Sequence, residues 1–155
     1  MTDVVAEVDD YRSPALDLPG ACPAPEGSPD EGVPWHYGDP HAEQRRLAAG
    51  RGSVDLSHRG VITVTGPDRL TWLHSLTTQH LETLAPGTST TALILSPHGH
   101  VEHEMHLADD GTTTWITVEP GDAPALVAYL DSMRFMLRVE VADASADWAV
   151  VWQPL

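Results

Sequence analysis

Between Arg59 and Leu76 the hydrophobic period changes from two to a helical spacing within a few residues, and a strand turning directly into a helix satisfies that change. From Arg59 onward, Ile62 and Val64 fall on one side while Arg59, Val61, Thr63 and Thr65 fall on the other, as in a strand with two unlike faces. Gly66-Pro67-Asp68 then ends the strand and opens a helix. Proline at the first helical position loses no hydrogen bond, Asp68 meets the positive end of the dipole, and Leu70, Leu73 and Leu76 recur at helical spacing. A helix with its leucines on one stripe is expected to pack back on the sheet.

The remaining elements arrange themselves around this unit. Asp39-Pro40 predicts a helix to about Ala49, closed by Gly50 and Gly52. Strands are expected over Thr90 to Leu95, His100 to Ala108 and Thr113 to Glu119, with Ser96-Pro97-His98-Gly99 and Asp109-Asp110-Gly111 as turns. Pro120-Gly121-Asp122 opens a helix with Leu126, Val127, Leu130 and Met133 on one face. Leu137 to Val141 returns as a strand, and Trp148 to Trp152 begins another. The order predicts an α+β fold, an antiparallel sheet with helices on one face. Its expected core is Ile62, Val64, Leu70, Leu73, Ile116, Val118, Leu126 and Leu130.

Residues 1–34 hold six prolines, many carboxylates and few large apolar groups, which predicts a disordered acidic tail with at most a short amphipathic piece from Val4 to Tyr11. Trp35-His36-Tyr37 is the expected anchor that docks the chain onto a folded domain spanning 35–155. A chain of 155 residues accommodates one such domain. Its net charge is -15 and all eight basic residues are arginine, so no basic stripe is available for phosphates and direct nucleic-acid binding is not expected. Cys22 is the single cysteine, which rules out an intramolecular disulfide and a thiolate-only cluster site. With no apolar run of membrane-spanning length, a cytoplasmic protein without a membrane partner is expected.

The third predicted strand divides into an apolar face, Val101, His103, Met105 and Leu107, and a polar one, His100, Glu102, Glu104, His106 and Ala108. Thr117 and Glu119 on the fourth strand, and Arg59 and Thr63 on the central one, repeat the split, so three strands present a polar wall together. His98, His100, His103 and His106 carry metal-ligand chemistry without a supporting partner pattern, and no metal site is assigned. Asp55, Ser57 and His58 have the residue types of a hydrolase triad. In an extended segment, however, Ser57 and His58 point apart, so Asp55 and Ser57 are expected to serve local backbone instead and no catalytic residue is assigned.

Asp55-Leu56-Ser57-His58-Arg59-Gly60, Val64-Thr65-Gly66-Pro67-Asp68 and Trp72-Leu73-His74-Ser75-Leu76-Thr77-Thr78 together resemble the opening of the folate-binding fold shared by the glycine-cleavage T-protein (aminomethyltransferase) and the YgfZ proteins, with wording closer to YgfZ. The resemblance runs from about Trp35 to Trp152 and covers the N-terminal half of the family fold, so the chain reads as a truncated form of it. It implies that the sheet face opposite the helices lines a channel for tetrahydrofolate or another reduced folate. The matching positions are Arg59, Thr63, Thr91, Glu104, His106, Thr117 and Glu119. Glu104 stands where the enzyme has its folate-contacting aspartate, Arg59 where the family has methionine, and Glu119 where it has asparagine. The Lys-Gly-Cys-x-x-Gly-Gln motif of YgfZ proteins is absent from a chain without lysine. The resemblance thus implies a non-catalytic folate-binding module linked to the maintenance or assembly of iron-sulfur proteins. The alternative is an aminomethyltransferase of one-carbon metabolism.

Overall fold

The computed structural model describes residues 11–154, which divide into two compact units, 11–59 with 148–154 and 60–147. In chain order the elements are a 3-10 turn (Pro14–Asp17), β1 (Cys22–Pro23), β2 (Pro34–His36), α1 (Pro40–Ala48), β3 (Val54–Asp55), β4 (Gly60–Thr65), α2 (Arg69–Leu76), β5 (Thr88–Leu95), β6 (Val101–Asp109), β7 (Thr113–Val118), α3 (Ala123–Ser132), β8 (Glu140–Asp143) and β9 (Val151–Trp152). No helix among the described residues is long and apolar enough to cross a membrane.

The first unit corrects the expectation of an unfolded leader to residue 34, as far as residues 11–34 are concerned. β1 pairs antiparallel with β2, and Ala24 and Val33 are buried. Ser13 is buried too. Its hydroxyl accepts the Ala15 N–H at 3.1 Å to cap the 3-10 turn and donates to Asp55 Oδ2, while its backbone N–H reaches Gly32 O at 2.8 Å. Proline-rich composition signals little apolar burial, but prolines also pre-set turn dihedrals, and here polar side chains supply the long-range ties that composition does not show. The expected piece from Val4 to Tyr11 lies, apart from Tyr11, outside the described residues. Of the expected anchor, Trp35 remains 67% exposed. β3 and β9 pair antiparallel and close the unit.

The second unit is a five-stranded antiparallel sheet in the order β5-β6-β7-β4-β8, with α2 and α3 packed on one face. Ile62, Val64, Ile94, Met105, Leu107, Ile116 and Val118 from the strands meet Leu73, Leu126 and Leu130 from the helices, all essentially buried. Of the expected core, Leu70 alone is only half-buried. Gly60 is required by this packing, because a Cβ there would stand 2.7 Å from the Ala123 Cβ.

The start of α2 differs from expectation. Pro67 precedes the helix, which begins at Arg69, and the Asp68 carboxylate does not cap it. That carboxylate instead accepts from the Arg138 backbone N–H (2.9 Å) and from its guanidinium at Nε (3.0 Å) and Nη2 (2.7 Å), a long-range tie that local sequence does not announce. Arg69 at the helix start forms a two-pronged pair with buried Asp109, Nε to Oδ2 at 2.9 Å and Nη2 to Oδ1 at 2.8 Å. Trp72 Nε1 donates to Met133 O at 3.1 Å and ties α2 to the end of α3.

Candidate functional site

Because side chains alternate along a strand, burying Ala92 and Ile94, Met105 and Leu107, and Ile116 and Val118 under the helices turns their neighbours to the opposite face. The register then aligns them across the sheet. Thr91 lies opposite His106, His106 opposite Thr117, and Thr117 opposite Val61. One row is therefore hydroxyl, imidazole, hydroxyl and valine. In the next row Ala108, Trp115 and Thr63 are partners.

Within the first row Thr91 Oγ1 and His106 Nδ1 are 3.1 Å apart, and the Thr117 hydroxyl donates to the His106 carbonyl at 3.4 Å. Glu104, two residues along β6 on the same face, brings Oε1 to 4.0 Å from His106 Nε2, with both side chains about half exposed. The fold thus brings Thr91, Glu104, His106 and Thr117 together on one open face. Thr63 lies on the same face one row further along β4, and Glu119 follows the last residue of β7. Arg59 is the last residue of the first unit.

Trp115 shares the alternation of Thr117 and so belongs to this face, although Thr117 and Glu119 alone are the polar signal of that strand. Its Nε1 donates to Asp110 Oδ2 at 2.9 Å. That bond, together with the Thr113 and Thr112 N–H groups and the Thr112 hydroxyl, holds the Asp110 carboxyl far below the usual carboxylate range. The turn predicted from Asp109-Asp110-Gly111 therefore also fixes the tryptophan of the wall.

His98, His100, His103 and His106 do not converge. His98 and His100 are exposed in the β5–β6 turn, where Ser96 Oγ accepts both backbone N–H groups, and His103 Nδ1 faces Asp122 Oδ2 at 3.5 Å on the helix side. Asp55 accepts the local Ser57 N–H (2.9 Å) as expected, and beyond that expectation it also accepts the hydroxyl of Ser13, 42 residues away. Burial alone would raise its carboxyl, but the bonds from Ser13 and Ser57 reverse this and lower it. His58 is buried with Nε2 at 3.2 Å from Asp30 Oδ1.

The first unit also holds a cleft of about 350 Å³ between α1 and the flanking segments, lined by Trp35, Tyr37, Glu43, Arg46 and Asp55 among others. Burial, with the Asp55 and Glu43 carboxylates nearby, raises the Tyr37 hydroxyl. No periodic pattern announces this cleft, because its walls come from a short strand, a helix and a loop.

Residues 32–152 match the family described as GCVT N-terminal domain. Over 123 residues the chain is 28% identical to a probable aminomethyltransferase of Natronomonas pharaonis, covering 77% of this chain and 34% of that protein. Over 109 residues it is 27% identical to the mitochondrial iron-sulfur cluster assembly factor IBA57 homolog of Mycosarcoma maydis, covering 62% and 27%. Among solved structures it resembles glycine cleavage system aminomethyltransferase T from Bartonella henselae, with a TM-score of 0.63, 21% identity, and coverage of 79% of this chain and 34% of that one. The chain spans about a third or less of the length of these proteins.

Proposed function

Because the chain belongs to the family of the GCVT N-terminal domain, whose match covers residues 32–152, we propose that its polar sheet face binds a reduced folate, tetrahydrofolate first, as a non-catalytic module. The observation that supports this reading is the exposure of Glu104 beside His106, Thr91 and Thr117 on the face opposite α2 and α3. The donor set suits the ligand. An ionised carboxylate only accepts hydrogen bonds, the pterin edge offers N–H donors, and the flanking hydroxyls and imidazole supply either role. When bound, the folate supplies one-carbon carrier chemistry, and the part of the protein is to hold and orient it.

The contact set proposed within the second unit is Thr63, Thr91, Glu104, His106, Thr117 and Glu119. Arg59 joins it on the resemblance alone. The link to iron-sulfur proteins rests on the likeness to the assembly factor, and a cytoplasmic setting on the cysteine usage of the chain.

Calorimetry with tetrahydrofolate tests the proposal. Glu104→Gln keeps the side-chain size but replaces one acceptor oxygen with a donor, so binding should weaken by about 1.5 to 3 kcal/mol, the worth of a hydrogen bond to a charged group. Equal affinity in both proteins removes Glu104 from the site. Absence of heat in the wild type leaves the wall as solvated sheet.

The second reading, an aminomethyltransferase, is favoured by the names of the Natronomonas relative and the Bartonella structure. A carboxylate one methylene longer than the aspartate of the enzyme argues against it, since catalysis tolerates about 1 Å of misplacement poorly. Turnover with glycine-cleavage partner proteins would decide for transfer.

A further inference from the structure

On the helix side of the second unit, His74, His80 and Glu82 gather at the end of α2. One ring nitrogen of each histidine and one carboxylate oxygen of Glu82 all lie within 4.8 Å of one another. Among the described residues this is the one group of three or more histidine, cysteine or acidic side chains so placed. We infer that these three residues form a binding site for a divalent transition metal, Zn²⁺ before others, independent of the folate-binding face.

The spacing arises from a stiff connection. His74 sits in the last turn of α2, and the chain then reverses. Thr78 N donates to Leu93 O at 2.9 Å, the Thr78 hydroxyl accepts from Leu93 N at 3.1 Å, and Gln79 Nε2 donates to Thr90 Oγ1 at 2.7 Å, so the loop is fastened to β5. Leu81 between His80 and Glu82 is fully buried and turns its two neighbours outward to solvent. The two imidazoles meet edge to face with centroids 4.7 Å apart.

The chemistry agrees with the placement. His74 Nδ1 lies 3.3 Å from the Gln79 carbonyl, to which it donates when protonated, and 3.4 Å from Leu81 N, from which it accepts when not, so either tautomer meets the loop backbone through that nitrogen. In the tautomer that donates Nδ1–H to the Gln79 carbonyl, the Leu81 N–H contact is given up and Nε2 keeps its lone pair for an ion, the usual outer-sphere support of a ligating histidine. Two neutral imidazoles and one carboxylate make a three-ligand zinc set with one position left for water. The C-terminal end of α2 adds the negative pole of its dipole, which favours a cation. Tetrahedral bonds of about 2.0 to 2.1 Å bring donor atoms closer than 4.8 Å. Rotation of His80 and Glu82, both exposed, provides that closure.

Calorimetric titration of the untagged full chain with zinc chloride tests the site. His80 and Glu82 are exposed, so His80→Ala and Glu82→Gln should leave the metal-free melt unchanged. One zinc per chain is expected in the wild type. His80→Ala should weaken binding by more than about 100-fold, beyond the 10- to 100-fold that loss of an outer-sphere partner costs. The double variant His98→Ala/His100→Ala should bind like the wild type, which separates the site from adventitious capture by the histidine turn. Cobalt should give the visible bands of a tetrahedral ion in the wild type and lose them in His80→Ala. Wild-type affinity in both His80→Ala and Glu82→Gln, loss of binding in the double variant, or no zinc uptake at sub-millimolar concentration would each overturn the assignment.

Discussion

At Asp109 a side chain read from sequence as part of a turn is also the anchor of a helix. It is buried, accepts two bonds from Arg69, one from the Thr114 hydroxyl at 2.6 Å and one from Gly111 N at 2.8 Å. Burial raises its carboxyl, but these bonds outweigh that and the net direction is down. Removing the carboxylate leaves Arg69, whose side chain is 11% exposed, without the partner that accepts both of its prongs. Asp109→Ala should therefore cost about 3 to 5 kcal/mol, the range for breaking one side of a buried ion pair, read from urea melts. A loss below about 1 kcal/mol would mean that water reaches Arg69 freely. The sequence announced Asp109 only as the first residue of Asp109-Asp110-Gly111, because its partner lies forty residues away.

Among the elements, α2 shows how local pattern and long-range contact divide the work. Its leucine spacing was legible, and Leu73 is fully buried against the sheet as expected. Leu73→Ala should cost about 2 to 5 kcal/mol in thermal or urea unfolding, and a cost below about 0.5 kcal/mol would place the helix on the surface. Its start was not legible. Gly66 takes φ +108, and a Cβ there would lie 2.1 Å from the Arg138 carbonyl, so the turn is shaped by the segment before β8 as much as by Pro67. The polar wall behaves similarly. Alternation placed Glu104 and His106 on one face of their strand, while only the register decided that His106 would stand between Thr91 and Thr117.

For the whole molecule, charge and pH oppose each other. Acidification relieves the self-repulsion of a chain with net charge -15, yet it removes the carboxylates that hold the native state. Asp109 is held below its unfolded value, so the stability it contributes is complete above about pH 3.9 and is lost as pH falls through the lower folded value. Asp109→Asn lacks that linkage. Its stability should fall less steeply than that of the wild type below about pH 4, in urea melts run at several acid pH values. Parallel pH profiles would show that Asp109 binds its proton equally well folded and unfolded.

Features that depend on neighbours along the chain are legible in the order of residues: strand and helix periods, the Asp109-Asp110-Gly111 turn, the cap of α1 at Asp39, and the division of each strand into apolar and polar faces. The short matches in order also carried the family. Contacts between residues distant in sequence were settled by folding alone. The proline-rich stretch from residue 11 folds because Ser13 reaches Asp55 and Asp30 reaches His58, and composition counts residues without saying whom they meet. His74, His80 and Glu82 came together for the same reason, since a loop fastened to β5 sets their separation and no periodic pattern encodes it.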